Sequence, residues 1–178
     1  MARYAALLRG INVGGNKKIA MAELRRFLSD LGYTDVATHL QSGNAVFTSK
    51  RKPDKLATEI EKGIEREFGM TVRCLVRTGP ELRKALDGSP FRDVATNGSR
   101  MLVHFLSASP APKLLAAHDP TQLAPDEIAI GDRVVYQWCP NGIQGAPPVS
   151  AFVEKNLKVF VTARNWNTVT KLCELLDT

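Results

Sequence analysis

The 178-residue sequence contains no apolar stretch approaching the ~18 residues a membrane helix requires. Its first apolar run, between Arg3 and Arg9, is far too short for a span and lacks the h-region of a secretory signal. The protein is therefore read as cytoplasmic, with no membrane partner. Cysteine is scarce: Cys74, Cys139 and Cys173 are odd in number and widely scattered. No CxxC pair or Cys/His cluster occurs, which excludes a disulfide framework and a structural zinc site and leaves three reduced, buried thiols as the expectation. Aromatic residues make up only 7% of the chain, and no strand carries the [KR]-G-[FY]-[GA]-[FY]-V-x-[FY] signature of an RNA-recognition motif. Recognition of RNA by base stacking is thus disfavoured, although Arg3, Arg9, Arg73 and Arg77 can share one sheet face.

Catalytic signatures are missing too. Neither GxSxG nor HExxH occurs, and His39, His104 and His118 stand alone. Glu59, Glu61, Glu65 and Glu67 crowd one helix, but Lys62 and Arg66 interleave them, as on a solvated face. The sequence assigns no metal, no cofactor and no reaction, and it leaves the oligomeric state open.

What is present is ordinary globular material, 44% hydrophobic and 24% charged, enough to bury roughly 70% of the surface of the unfolded chain. Residues 1–90 carry 16 Lys+Arg against 10 Asp+Glu, whereas residues 91–178 carry 8 of each. The excess of +6 is regional, as an anion-binding surface requires.

Periodicity gives the order of elements. The first half reads as a strand over Arg3–Arg9, a Gly-rich loop over Gly10–Lys18, and a helix carrying Met21, Leu24, Phe27, Leu28 and Leu31 on one face. A hairpin follows, Asp35–Leu40 and Ala45–Ser49 around Gln41–Asn44. Then come a helix over Asp54–Phe68 and a strand over Thr71–Arg77. Thr78-Gly-Pro-Glu81 has the form of a capping box opening a short helix. The second half repeats the order: a strand at Met101–Leu106, a helix at Pro112–His118, a hairpin of Glu127–Ile130 and Val134–Trp138, a helix at Ser150–Asn156, a strand at Leu157–Val161 and a helix at Asn165–Leu176. The expectation is an α+β protein of tandem ferredoxin-like βαββαβ units with mixed or antiparallel sheets, residues 1–90 and 91–178. One continuous mixed sheet is the alternative.

Three stretches are distinctive together: Leu7-Leu8-Arg9-Gly10-Ile11-Asn12-Val13-Gly14-Gly15, Gln41-Ser42-Gly43-Asn44 and Thr162-Ala163-Arg164-Asn165-Trp166-Asn167-Thr168. With Trp138-Cys139-Pro140-Asn141-Gly142-Ile143, they resemble the bacterial family of domain of unknown function 1697. The resemblance implies duplicated ferredoxin-like units and no assigned activity, cofactor or substrate. After Ile143 the family tends to continue with a Gly-Arg-Ser-Lys-like stretch. Here Gln144–Ser150 contains no basic residue, so a ligand held there in relatives would be held differently in this chain or not at all.

Three candidate ligand sites follow. In the first loop, Asn12, Gly14 and Gly15 can turn backbone N–H groups toward an anion, with Arg9, Lys17 and Lys18 supplying charge. The spacing matches neither a P-loop nor a GxGxxG fingerprint, and a flexible connection needs glycine equally. In the second, Ser42 and Asn44 can hydrogen-bond a ligand or simply form a turn. In the third, Asn165 suits a helix N-cap and Trp166 a core position. Arg164 would oppose the dipole at a helix start, which calls for a carboxylate or an anionic ligand beside it. Asn167 adds a further polar group. The leading expectation is a binding protein for an anionic, phosphate-containing small molecule. Sequence-nonspecific nucleic-acid binding through Lys17, Lys18, Lys50, Arg51 and Lys52 comes second, and a small-molecule hydrolase or transferase third.

Overall fold

The computed structural model describes all 178 residues, which form two compact units, Met1–Leu82 with Lys171–Thr178 and Arg83–Thr170. In the first unit, β1 (Ala2–Leu8), α1 (Met21–Asp30), β2 (Thr34–His39), β3 (Asn44–Ser49), α2 (Pro53–Phe68) and β4 (Cys74–Thr78) follow in order. The strands make one antiparallel sheet, β2-β3-β1-β4. Leu24, Phe27 and Leu28 of α1 and Leu56, Ile60 and Ile64 of α2 lie almost wholly buried on one sheet face with Tyr4, Ala6, Leu8, Ala45, Phe47 and Val76. Each such side chain contributes about 1.5–3 kcal/mol by leaving water. The two helices approach closely because Gly63 lacks a side chain: a Cβ there would stand 2.7 Å from Phe27 Cζ.

The chain then enters α3 (Gly79–Asp87), β5 (Met101–Leu106), α4 (Pro112–Ala117), β6 (Ile128–Gly131), β7 (Val134–Trp138), α5 (Val149–Leu157), β8 (Val161–Asn165) and α6 (Trp166–Leu176). The second sheet is antiparallel in the order β6-β7-β5-β8. Val149, Val153 and Leu157 of α5 bury against Leu106, Ile128, Val135 and Val161. Both sheets therefore have equivalent strand order, and the single mixed sheet considered as the alternative does not form. No helix is long and apolar enough to cross a membrane.

Two strands differ from expectation. β4 begins at Cys74, not Thr71. The last strand is displaced from Leu157–Val161 to Val161–Asn165, because α5 runs one residue past Asn156 to include Leu157 and is ended there by Lys158 in a left-handed conformation (φ +58°). Residues 158–160 are then spent reaching the sheet, and Ser107 N–H bonds to Phe160 O at 2.8 Å.

Candidate functional site

The Gly10–Lys18 loop leaves β1 and runs into α1, and it docks on the β2–β3 turn of the same unit. Asn12 organises this contact. It sits at φ +56°, and its side-chain amide donates to Ile19 O and Gln41 O, both at 2.8 Å, while its Oδ1 accepts from Ile19 N at 2.9 Å. The turn closes against the same place: Leu8 N donates to Gly43 O at 2.9 Å. Gly43 (φ +92°) admits no larger residue, since a Cβ would lie 2.8 Å from Leu8 Cβ and 3.0 Å from Ile11 Cδ1. The first two sequence candidates are thus one structural feature.

Within it, the polar residues divide. Asn44 is fully buried and gives its amide protons to His39 O and Ser42 Oγ, each at 2.9 Å, so Asn44 and Ser42 organise the hairpin. Gly14, Gly15 and Lys18 are exposed, as is Arg9. Lys17 is exposed with its Nζ on Thr71 O at 2.7 Å, and Arg9 N bonds Arg73 O at 3.0 Å. Four cationic residues, Arg9, Lys17, Lys18 and Arg73, therefore belong to the strand ends and loop at this end of the sheet. The helix that follows, α1, has Ala20 at its N-cap, which has no side chain able to cap it. Its first N–H groups are left to solvent or to a ligand.

The third candidate lies in the second unit. Asn165 is an N-cap, its Oδ1 accepting from Thr168 N at 2.9 Å. Arg164 is not at a helix start. It lies on β8 opposite Val103, buried to 8% exposure, and its guanidinium donates to Thr162 Oγ1 at 3.0 Å and Ala163 O at 2.8 Å. The conflict with the helix dipole disappears, because the strand extends four residues further than the apolar pattern indicated. Asn167 is exposed. Trp166 is half-buried and lines a cavity instead of joining Val169 and Leu172 in the core.

Of the four arginines foreseen on one face of the first sheet, Arg3 and Arg77 share a face by register, with Arg9 and Arg73 just beyond the ends of β1 and β4. On that face Ala5, Leu7, Val46 and Leu75 are buried, as is Arg77. No open platform for bases exists there. Phe47 is buried on the opposite face, stacked on Tyr33 at 4.5 Å between ring centroids.

One polar constellation went unread in the sequence. His104, on β5, places Nδ1 2.7 Å from Ser150 Oγ and Nε2 2.8 Å from Gln137 Oε1. The Gln137 amide is turned by its Nε2 donating to Pro147 O at 2.9 Å. Its Oε1 can only accept, so His104 carries its proton on Nε2 and Nδ1 accepts from the Ser150 hydroxyl. Burial pushes the imidazole pKa down to about 4, against which the Gln137 bond acts weakly. These residues are spaced 33 and 46 positions apart from His104, and no local motif announces them. No group of three or more His, Cys, Asp or Glu side chains is placed to hold a metal ion.

A search of curated proteins finds no match. The fold is similar to that of a conserved bacterial protein of Streptococcus pneumoniae, with a TM-score of 0.67 and 23% sequence identity over 98% of each chain. The family model described as "Protein of unknown function (DUF1697)" matches residues 1–136, a span that includes the docked loop and turn and stops short of the Arg164–Thr168 segment. On that match the chain belongs to the DUF1697 family of proteins of unknown function.

Proposed function

We propose that the protein binds an anionic, phosphate-containing small molecule at the end of the first sheet, over the loop that enters α1. The observation that carries this reading is the loop's construction. Asn12 ties it to Ile19 and Gln41, so it is a held surface with Arg9, Lys17 and Lys18 around it and an uncapped helix start behind it. Preorganised N–H donors and cations favour an anion without a further ordering cost. Arg164 is engaged in the strand and Asn165 in the cap, and with the exposed Asn167 they contribute least to this reading.

Each unit is proposed to be a ferredoxin-like plait, since a β2-β3-β1-β4 antiparallel order with both helices on one face is what that fold requires. A reducing, cytoplasmic location fits three buried free thiols.

The test is thermal unfolding with pyrophosphate, a nucleoside triphosphate and a sugar phosphate at matched ionic strength. At about 100 Kd of ligand the stabilisation is about 2.7 kcal/mol, or a rise of roughly 5–10 °C for a chain of this size. The double substitution Lys17→Ala and Lys18→Ala should abolish it. A shift no larger than that given by sodium sulfate for all three compounds refutes the proposal.

A further inference from the structure

A cavity of about 300 Å³ in the second unit is lined by Ser89, Phe91, Arg92, Ala95, Met101 and Trp166. Its walls combine apolar side chains, two of them aromatic, with the polar Ser89 and Arg92. Trp166 is the residue that leaves the buried stripe of α6: Val169, Leu172, Cys173 and Leu176 are at most 8% exposed, whereas the indole is half-buried.

The polar lining has one chemical sense. Ser89 Oγ accepts from Phe91 N at 3.2 Å, which leaves the hydroxyl proton to be given. Arg92 meets Leu86 O at 3.3 Å and Asp87 Oδ1 at 3.1 Å with the same terminal nitrogen, Nη2, so Nη1 and Nε keep their protons for another acceptor. No carboxylate lines the wall, and the Met101 sulfur is only a weak acceptor. A guest must therefore bring oxygen acceptors and an apolar body. Asp87 already offsets part of the Arg92 charge, which favours a guest with one negative charge over a phosphate dianion. The volume is at the lower end for ligand pockets, and a cavity of about 150 Å³ already admits benzene.

We propose that this cavity binds a small aromatic carboxylate of one or two rings, its ring between Phe91 and Trp166 and its carboxylate on Arg92 and Ser89. Ring contacts with the two aromatic walls supply most of the binding, and the charge-assisted hydrogen bonds orient the guest. The proposal is independent of the anion reading for the first unit, since no residue is shared.

The chain holds two tryptophans, Trp138 and Trp166, so Trp138→Phe isolates the reporter. The full chain is titrated with 4-methylbenzoate and 2-naphthoate, and with their uncharged amides, by calorimetry and by Trp166 fluorescence. Expected are saturable one-site binding and a loss of about tenfold or more for the amides. Arg92→Gln should weaken the carboxylates to the level of the amides, and Ala95→Phe, which fills the space, should remove binding of both. Arg92 is exposed, with 54% of its side chain accessible, so Arg92→Gln keeps the fold should Ala95→Phe lose it. Absence of saturation up to about 10 mM for both acids overturns the proposal, as that affinity is below what even a small well-fitted ligand achieves. Equal affinity for acid and amide, or binding indifferent to both substitutions, overturns it as well.

Discussion

At the scale of the residue, His104 is where burial and hydrogen bonding make the sharpest claim. Its neutral form is held by Ser150 and Gln137, and its pKa falls from 6.5 to about 4. The unfolded chain takes up a proton at this histidine near pH 6.5, while the folded chain resists until about pH 4. Protonation therefore favours unfolding across that window: the stabilising effect is complete above pH 6.5 and is lost as pH falls toward 4. The slope reaches about 1.4 kcal/mol per pH unit and the total about 3 kcal/mol. Denaturant titrations of the parent and of His104→Gln between pH 7 and 4 check this. The substitution lowers stability at pH 7 yet flattens the decline, and parallel curves would refute the assignment. Asp132, whose carboxyl Lys84 holds below the usual range, titrates at lower pH, and His39, its pKa lowered by desolvation and by Lys171, is common to both proteins and cancels in the comparison.

At the scale of the element, the clearest local instruction is the capping box. Thr78 N donates to Glu81 Oε2 at 2.8 Å and Glu81 N to Thr78 Oγ1 at 3.3 Å, and four residues of sequence sufficed to place the start of α3. Thr78→Ala should cost about 1 kcal/mol and lower Tm by roughly 2–4 °C. A change within error in calorimetry would mean that the box contributes nothing net. Elements with strong periodicity, such as α1, α2 and β5, were legible in the same way, as was the hairpin around Gln41–Asn44. β8 was not, because Val159 and Phe160 are apolar for packing, whereas the paired register begins only at Val161, opposite Leu106. The true strand ends in Arg164 and Asn165, which no alternation rule selects. The candidate site was half legible. Glycine and lysine marked the first loop, but the bond from Asn12 to Gln41 spans 29 positions, and such a contact is a product of the sheet's folding. The fate of Asn44 depended on the same long-range closure. A buried amide and an exposed one look identical in a four-residue turn.

At the scale of the whole molecule, charge looks different once the chain is divided as it folds. The halves 1–90 and 91–178 differ by +6 against zero, but the units carry 15 Lys+Arg against 11 Asp+Glu and 9 against 7, or +4 and +2. The contrast shrinks because Arg83 and Lys84 join the second unit and Glu174 and Asp177 the first. The case for a phosphate-backbone ligand weakens with it. The division also makes the last turns of α6 part of the first unit. Leu172, Cys173 and Leu176 are buried there, and Leu175 O accepts from Arg3 Nη2 at 3.2 Å. Deleting Lys171–Thr178 removes three buried apolar side chains, each worth about 1.5–3 kcal/mol, a sum comparable to the stability of an ordinary domain. Hydrogen exchange should then quicken in β1 and β4. Unchanged protection of Ala2–Leu8 and Cys74–Thr78 would show that the tail is dispensable to that sheet.

The same arrangement bears on how the protein is made. Domains commonly fold in the order in which the ribosome delivers them, N-terminal first. Here the unit that begins the chain includes Lys171–Thr178. During translation, Arg3 cannot meet Leu175 until residues 171–178 have emerged, so the unit that holds β1 and β4 is completed only after the whole of the second unit has been made.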